Sequence, residues 1–222
     1  MGKVFHPGHA SNFDDPISWS EPYYHAPNYD RYQTKVSWKA IPKNESTVYP
    51  LPDEQIADKA MSTLERLAPK AKTGEQPFFL AVGFHKPHLP FVFPEEYMQY
   101  YPKDSIKLPA NPYVPKNFPD IAWWRCVGLH DYTDILATNA TLKYNTSLPD
   151  YKTLELRRAY YSAMSFTDAQ VGRVMDKLKA LGLDGNTIVT FWADHGWQLG
   201  RCLIGMEIFP ICNFRPFLYT SH

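Results

Sequence analysis

Apolar positions along the chain follow a helical spacing in two stretches and form short unbroken runs in two others. In the first stretch, four apolar residues recur at intervals of one helical turn: Ile56, Ala60, Leu64 and Leu67. This spacing predicts an amphipathic helix, and Asp53 is placed to cap its N-terminus. The unbroken apolar run 78–83 follows Pro77 and is typical of a short buried strand.

The second half of the chain predicts a longer helix and then another strand. From about Leu154 onward, one helical face collects apolar and aromatic side chains: Tyr160, Met164, Thr167, Val171, Met175 and Leu178. Gly182 suits the C-cap of this helix, residues 184–186 (Asp-Gly-Asn) suit a turn, and the β-branched run 187–193 predicts the strand.

The remaining segments are predicted to be mostly loop. Pro94 and the two acids after it predict the start of one short helix. Residues 1–50 and 102–150 are rich in Pro and Asn and show no helical period. Because helices alternate with fully apolar strands, the pattern as a whole predicts an α/β fold whose sheet is covered on both faces.

Composition narrows the class of protein. The 222 residues are 44% hydrophobic and 21% charged, which predicts a globular domain with one sizeable core. No apolar run reaches the ~18 residues that a membrane span needs, so no membrane span is expected. Basic and acidic residues balance at 23 each, so we expect no nucleic-acid partner. The first residues lack the apolar core of a signal peptide, and none is expected within this chain.

Cysteines and glycosylation sequons say little about the compartment. The three cysteines, Cys126, Cys202 and Cys212, neither require nor exclude an oxidising environment. Asn-x-Ser/Thr sequons occur at Asn44 and at two later positions, Asn139 and Asn145, but such triplets also arise by chance.

Asp194 and His195 follow the predicted strand 187–193 directly. Open α/β sheets place their chemistry at the carboxyl ends of their strands. An aspartate there suits a hard divalent cation, although histidine is a less usual ligand for calcium. The alternative is a loop aspartate that caps a helix beside a histidine that faces solvent, and the pattern alone leaves both readings open.

Two basic clusters suit an oxyanion such as sulfate or phosphate. In the first, His85, Lys86 and His88 lie among prolines that stiffen the loop after the run 78–83. In the second, Lys3 and His6 lie within residues 2–8 (GKVFHPG). The alternatives are a rigid connector for the first cluster and a frayed N-terminus for the second.

Together these segments resemble the sulfatase family of the alkaline-phosphatase-like superfamily. The resemblance lies in residues 161–172, 186–189 and 194–200, the last reading DHGWQLG, and extends over residues 2–200. Residues 2–8 and 78–91 (FFLAVGFHKPHLPF) narrow it to the branch that removes 2-O-sulfate from iduronate in heparan and dermatan sulfate.

The resemblance implies roles for particular residues. Lys3, His6 and His88 would be basic active-site residues around the sulfate, and Asp194 and His195 would be calcium ligands. Two further residues would contact substrate, Lys86 and Trp197. The implied cofactors are calcium and a formylglycine made from cysteine, and the implied partner is a sulfated glycosaminoglycan. The implied location is lysosomal or secreted.

The chain departs from the family pattern in several places. None of its cysteines lies in a Cys-x-Pro-Ser-Arg-type motif, which supplies formylglycine, and the upstream Asp-Asp calcium ligands of the family pattern are missing. The segment between Tyr32 and Leu51 lacks the cysteines of an expected disulfide. After Gly200 the sequence diverges, and its codon possibilities suggest a shifted reading frame.

We therefore predict a partial sulfatase catalytic domain at residues 1–200 and a divergent tail at residues 201–222. We expect no sulfate-ester hydrolysis by this polypeptide alone. Two alternatives stay open: a non-catalytic fragment that binds sulfated glycans, and another sulfatase or phosphodiester hydrolase of the same superfamily.

Overall fold

The structure, a computed structural model, describes part of the chain: residues 1–4, 15–110, 116–119, 128–141, 147–194, 196–197 and, for the backbone only, 217–219. Among the predicted site residues, His6 and His195 lie outside the described residues. The three cysteines, the sequon residue Asn145 and most of the predicted tail also lie outside them.

The described elements mix helices with short strands. The strands are β1 (Trp38–Ile41), β2 (Phe91–Pro94), β3 (Val189–Phe191) and β4 (Phe217–Tyr219). The α-helices are α1 (Lys43–Val48), α2 (Pro52–Lys72), α3 (Thr133–Leu136) and α4 (Asp150–Ala180). Short 3₁₀ turns occupy Asp30–Tyr32, Glu95–Tyr100, Lys103–Ser105, Gly128–Asp131 and Asp184–Asn186.

Two small sheets form among the described residues. Strands β1 and β2 pair in parallel, from Trp38 opposite Phe91 to Ile41 opposite Pro94. Strands β3 and β4 pair antiparallel. Strand β2 is fully buried, with Phe91 and Phe93 at 0% exposure, and it packs against α4. No helix in the part of the chain described here is long and apolar enough to cross a membrane.

Helix α2 confirms the first predicted helix but not its cap. Ile56, Ala60 and Leu64 are buried as the spacing predicted. The N-cap is Leu51, whose backbone N–H donates to the Glu54 carboxylate at 2.6 Å. The prediction of Asp53 as the cap was wrong, because Asp53 lies inside the first turn and its carboxylate binds a different loop.

Helix α4 confirms the long helix, and its buried face matches the predicted one only in part: Leu178 is buried, and Tyr160 and Met175 pack against the core. It begins at Asp150, before the predicted start, and its buried apolar side chains are Leu156, Ala159, Ala163, Phe166 and Leu178. Met164, predicted to be in the core, is 46% exposed. The small alanines Ala159 and Ala163 are at 0% exposure and lie in one core cluster with Leu156, Phe166 and strand β2.

The end of α4 is the predicted glycine C-cap. Gly182 has φ +63°, which glycine adopts without steric cost. The backbone N–H of Gly182 donates to the Lys179 carbonyl at 2.8 Å, and that of Leu183 donates to the Leu178 carbonyl at 3.1 Å. These are the two hydrogen bonds of a Schellman motif.

The two predicted buried strands were wrong in extent and burial. Within the run 78–83, only Gly83 forms a β-bridge, and Phe79 is 81% exposed. Strand β3 covers three residues of the predicted run 187–193, and Phe191 is 60% exposed. An apolar run marks a segment able to pack on both faces, but its partners are set by tertiary contacts.

The segment between Tyr32 and Leu51 is held by side-chain contacts. The Tyr32 hydroxyl donates to the Tyr49 carbonyl. The Arg31 guanidinium lies 3.5 Å from the centre of the Tyr49 ring, and the Asn28 side chain donates to the Pro50 carbonyl at 3.0 Å. A cation–π contact and two hydrogen bonds therefore fasten this segment.

A buried charge network joins β1, α3 and α4. The Lys152 ammonium lies 2.8 Å from Glu155 Oε1 and 3.3 Å from Asp134 Oδ2. Asp134 also accepts hydrogen bonds from the backbone N–H and hydroxyl of Ser37, at 2.8 and 2.6 Å. Burial alone would raise the pKa of Asp134, but these hydrogen bonds and the Lys152 charge hold it below its ordinary value.

We expect Asp134→Ala to lower the free energy of unfolding by about 3 kcal/mol, because the buried N–H and hydroxyl of Ser37 lose their acceptor and Lys152 keeps only the Glu155 carboxylate of its two partners. Asp58→Ala is the matched control, since Asp58 pairs with Arg173 at the surface. Its loss should stay below about 1 kcal/mol. Urea unfolding of both variants tests this, and equal losses would contradict the structural role of Asp134.

Candidate oxyanion and metal site

At the site, Gly2 and Gly83 allow two backbone segments that are far apart in the sequence to come into contact. The backbone N–H of Lys3 donates to the Gly83 carbonyl at 2.8 Å, and the N–H of Gly83 donates to the Met1 carbonyl at 3.1 Å. A Cβ at Gly2 would lie 2.0 Å from the Gly83 oxygen. A Cβ at Gly83 would lie 2.1 Å from the Lys3 oxygen. Only glycines permit this approach, which places Lys3 beside the loop that follows Gly83.

Tyr23 fixes the same segment from the other side. Its hydroxyl donates to the Gly2 carbonyl at 2.7 Å and accepts from the Val4 N–H at 3.3 Å. These bonds order residues 1–4, so the frayed alternative does not apply to Lys3.

Lys3 and Asp194 meet, although 190 positions separate them in the sequence. The Lys3 ammonium lies 2.9 Å from Asp194 Oδ2. The Lys3 side chain is 12% exposed and the Asp194 side chain is 62% exposed. The structure thus joins a predicted sulfate-binding cation to a predicted metal ligand at one surface.

Asp53 holds the backbone of the basic loop. Its Oδ1 accepts a hydrogen bond from the His85 N–H at 2.7 Å, and its Oδ2 accepts one from the Lys86 N–H at 2.9 Å. Asp53 is 1% exposed. Sequence reasoning missed this role, because an aspartate before a helix is expected to cap that helix.

The Lys86 ammonium bonds to its own loop. It donates to the His88 carbonyl at 2.9 Å and to the Pro90 carbonyl at 2.7 Å. Burial lowers the pKa of Lys86 to about 8, the negative charge of Asp53 opposes that shift, and Lys3 adds to it. The Thr167 hydroxyl of α4 donates to the Lys86 carbonyl at 3.0 Å. Lys86 therefore closes the turn that presents His88.

His88 is oriented through one ring nitrogen. Its Nδ1 lies 2.7 Å from the Leu89 carbonyl oxygen. Because a carbonyl can only accept, Nδ1 carries the hydrogen, and Nε2 is the basic nitrogen of the neutral ring.

His85 is kept neutral beside these cations. Burial lowers its pKa to about 3, and the charges of Lys86, Lys3 and His88 add to that shift. Its ring lies against Tyr29, with 4.8 Å between centroids. His85 thus lies within electrostatic reach of the predicted basic residues that the structure describes.

Trp197 packs against the core. Its ring meets Phe91 edge to face, with centroids 6.1 Å apart. Among the described residues, its buried Nε1 has no hydrogen-bond partner. The neighbouring Tyr160 also contacts Phe91, and burial raises the pKa of Tyr160. Trp197 links the segment after Asp194 to strand β2.

One of the residues predicted to bind calcium has a side chain of the expected chemical type. Asp194 offers an exposed carboxylate, the ligand type that calcium prefers. Within the described ranges, no three His, Cys, Asp or Glu side chains group closely enough to hold a metal ion. Of the two predicted calcium ligands, only Asp194 lies among the described residues, and its role as a ligand stays a prediction.

Comparison with known proteins decides the family. The sulfatase family model matches residues 3–210. The chain belongs to the sulfatase family. This result confirms the resemblance found in the sequence and the predicted fold class, the alkaline-phosphatase-like α/β fold.

Within that family the chain is similar to iduronate 2-sulfatases. It is 38% identical to the mouse (Mus musculus) protein and 37% identical to the human (Homo sapiens) one, with 90% of this chain and 38% of each relative covered. A sulfatase from Formosa agariphila is 34% identical over 76% of this chain and 30% of its own length. The chain thus spans well under half the length of these curated relatives.

We expect Gly83→Ala to be strongly destabilising, because its Cβ would overlap the Lys3 carbonyl. The loss should be about 2 kcal/mol or more. Gly172→Ala is the control, since Gly172 lies in α4 with open space around its Cβ. That change should stabilise the helix by up to about 1 kcal/mol. Thermal unfolding distinguishes the two, and equal melting temperatures would contradict the close approach.

A second expectation concerns pH. Because His85 has a lower pKa when folded than when unfolded, the unfolded chain binds more protons between about pH 6.5 and 3. The free energy of unfolding should therefore fall as the pH drops through this window. His85→Gln should flatten that fall, as measured by urea unfolding at several pH values. An unchanged slope would mean that His85 is not buried and neutral.

Proposed function

We propose that this chain is the part of a sulfuric ester hydrolase that surrounds the sulfate group, and that the substrate is 2-O-sulfated iduronate in heparan or dermatan sulfate. The observation that carries the proposal is the meeting of Lys3 with Asp194 beside the Asp53-held loop. The similarity to iduronate 2-sulfatases over 90% of the chain supports the choice of substrate.

The charge arrangement suits a sulfate ester. A mostly buried lysine is a point charge of low hydration for an oxyanion, and Lys3 holds its ammonium at an exposed carboxylate. Fixed cations stabilise the charge that develops on a transferring group, and they need no reorganisation during the reaction. In this proposal Lys3 contacts a sulfate oxygen.

The two histidines handle protons. His88 presents a basic Nε2 because its Nδ1 bonds to the Leu89 carbonyl. It can hold a proton near the ester oxygen of the departing sugar. His6 is proposed as a second acid or base near the sulfate.

Two further residues shape the pocket. We propose that Lys86 contributes positive charge to the sulfated sugar from within its turn, where its ammonium bonds to two carbonyls. Trp197 would form one wall, since its ring is anchored on Phe91.

Calcium and formylglycine complete the proposed chemistry. Asp194 and His195 would hold calcium, which supplies positive charge against the sulfate oxygens. Formylglycine supplies the attacking hydroxyl in the proposed reaction. None of the three cysteines of these 222 residues has the motif for it, so we expect no turnover by this polypeptide alone.

The cellular setting is also a proposal. A lysosomal or secreted location suits an enzyme of glycosaminoglycan degradation. Asn44 is exposed in α1, where a glycan could attach. The domain boundary at residue 200 and the frame-shifted origin of residues 201–222 stay predictions, and independent sequencing of the transcript tests both.

A second candidate is binding of sulfated glycan without hydrolysis. In this alternative Lys3, Lys86 and His88 hold the sulfated sugar, and the ordered positions of Lys3 and Lys86 support it. Another sulfatase or phosphodiester hydrolase of the superfamily is the enzymatic alternative, and a panel of sulfate and phosphate esters separates these outcomes.

We expect the chain to bind a 2-O-sulfated iduronate disaccharide in a salt-dependent manner, and Lys3→Gln to weaken that binding by ~10-fold through loss of one charge-assisted contact. Lys39→Gln is the matched control, since Lys39 is exposed on β1 and the same unit of charge is removed. Calorimetry at two salt concentrations measures both. Equal effects of the two variants, or no binding by the unaltered chain, would contradict the proposed site.

A further inference from the structure

Asp53 is a buried charge that the proposed chemistry does not use. It is 1% exposed, and each of its carboxylate oxygens accepts a backbone N–H, from His85 and Lys86. A buried carboxylate is unfavourable unless it is compensated by hydrogen bonds or opposite charge. Burial raises the pKa of Asp53, and the two consecutive amide N–H groups and the Lys86 charge oppose that rise. The same two hydrogen bonds fix two neighbouring peptide planes.

The helix supports the same carboxylate. Asp53 lies in the first turn of α2, where the positive end of the helix dipole favours negative charge. Since α2 packs along α4, the carboxylate stands on a rigid base and not on another loop.

Contacts lead from Asp53 to His88. The backbone of Lys86 is held at both of its polar groups, since Asp53 accepts from its N–H and the Thr167 hydroxyl donates to its carbonyl. The Lys86 ammonium then bonds to the carbonyl of His88. With the backbone of His88 held in this way, the Nδ1 contact to the Leu89 carbonyl sets the ring.

Charge adds to this geometry. The charged groups that act on Lys86 are Asp53 from α2 and Lys3 from the paired segment, while His85 on its own loop is kept neutral by burial. Asp53 is the acid among them, and it opposes the fall in the pKa of Lys86 that burial causes. It therefore keeps the ammonium charged and bonded to the two carbonyls.

We propose that Asp53 is a positioning residue that sets the orientation of His88 at the oxyanion site, a role that rests on the function proposed above. Asp53 lies on the buried side of the loop. It acts through the backbone N–H groups of His85 and Lys86 and through the Lys86 ammonium, and it does not contact the substrate.

The test compares Asp53→Asn with the matched control Asp58→Asn in the 222-residue chain. Asparagine keeps the shape but loses one acceptor, so one of the two amides is left unpaired. Asp58 lies on the same helix and pairs with Arg173 at the surface. The readouts are hydrogen exchange of the His85 and Lys86 amides, the nitrogen resonances of the His88 ring, and the affinity for inorganic sulfate, with His88→Ala as reference.

In Asp53→Asn we expect exchange of the two amides to rise by ~10-fold, the His88 resonances to shift, and sulfate affinity to fall by ~10-fold, toward that of His88→Ala. Asp58→Asn should match the unaltered chain. Should Asp53→Asn fail to fold, Asp53→Glu keeps the charge but displaces the carboxylate by one methylene. It should shift the His88 resonances as well.

The proposal is overturned if the His88 resonances stay at their original values in the folded Asp53 variants. It is also overturned if Asp53→Glu behaves like the unaltered chain, since charge alone would then suffice. An unaltered chain that binds no sulfate would contradict the proposed function instead, and the His88 resonances would still decide the role of Asp53.

Discussion

The close approach of two backbone segments at Gly2 and Gly83 is the constraint on which the site depends. Its hydrogen bonds place Lys3 next to the loop that carries His85 and His88. Any side chain at either glycine would occupy the space of the facing carbonyl. Without this contact, the position of Lys3 would depend on the Tyr23 hydrogen bonds to Gly2 and Val4, and its ion pair with Asp194 would be weak at an exposed surface.

A second constraint is the balance of charge around the basic loop. The like charges of Lys3 and Lys86 repel each other in a partly buried site. The negative charge of the buried Asp53 carboxylate offsets this repulsion. His85 adds no positive charge, because burial keeps its ring neutral. The arrangement concentrates positive charge toward solvent while its support is buried, as an oxyanion site requires.

The sequence predicted the positions of helices better than the burial of individual side chains. The helical spacing predicted α2, and Gly182 predicted the end of α4, because both signals are local. The predictions of burial were less accurate, because Phe79 in the run 78–83 is exposed and Met164 lies outside the core. Periodicity shows which side chains can share a face, but it does not say which face meets a partner.

The family resemblance, the basic and acidic clusters, and the residue types available for an oxyanion and a cation can all be read from the sequence. Three contacts cannot: the ion pair of Lys3 with Asp194, the hydrogen bonds of Asp53 to the loop after Gly83, and the bonds of the Lys86 ammonium to carbonyls. The reason is physical. Motifs and spacing act over a few residues, whereas these contacts join groups that are far apart in sequence and depend on how the segments pack.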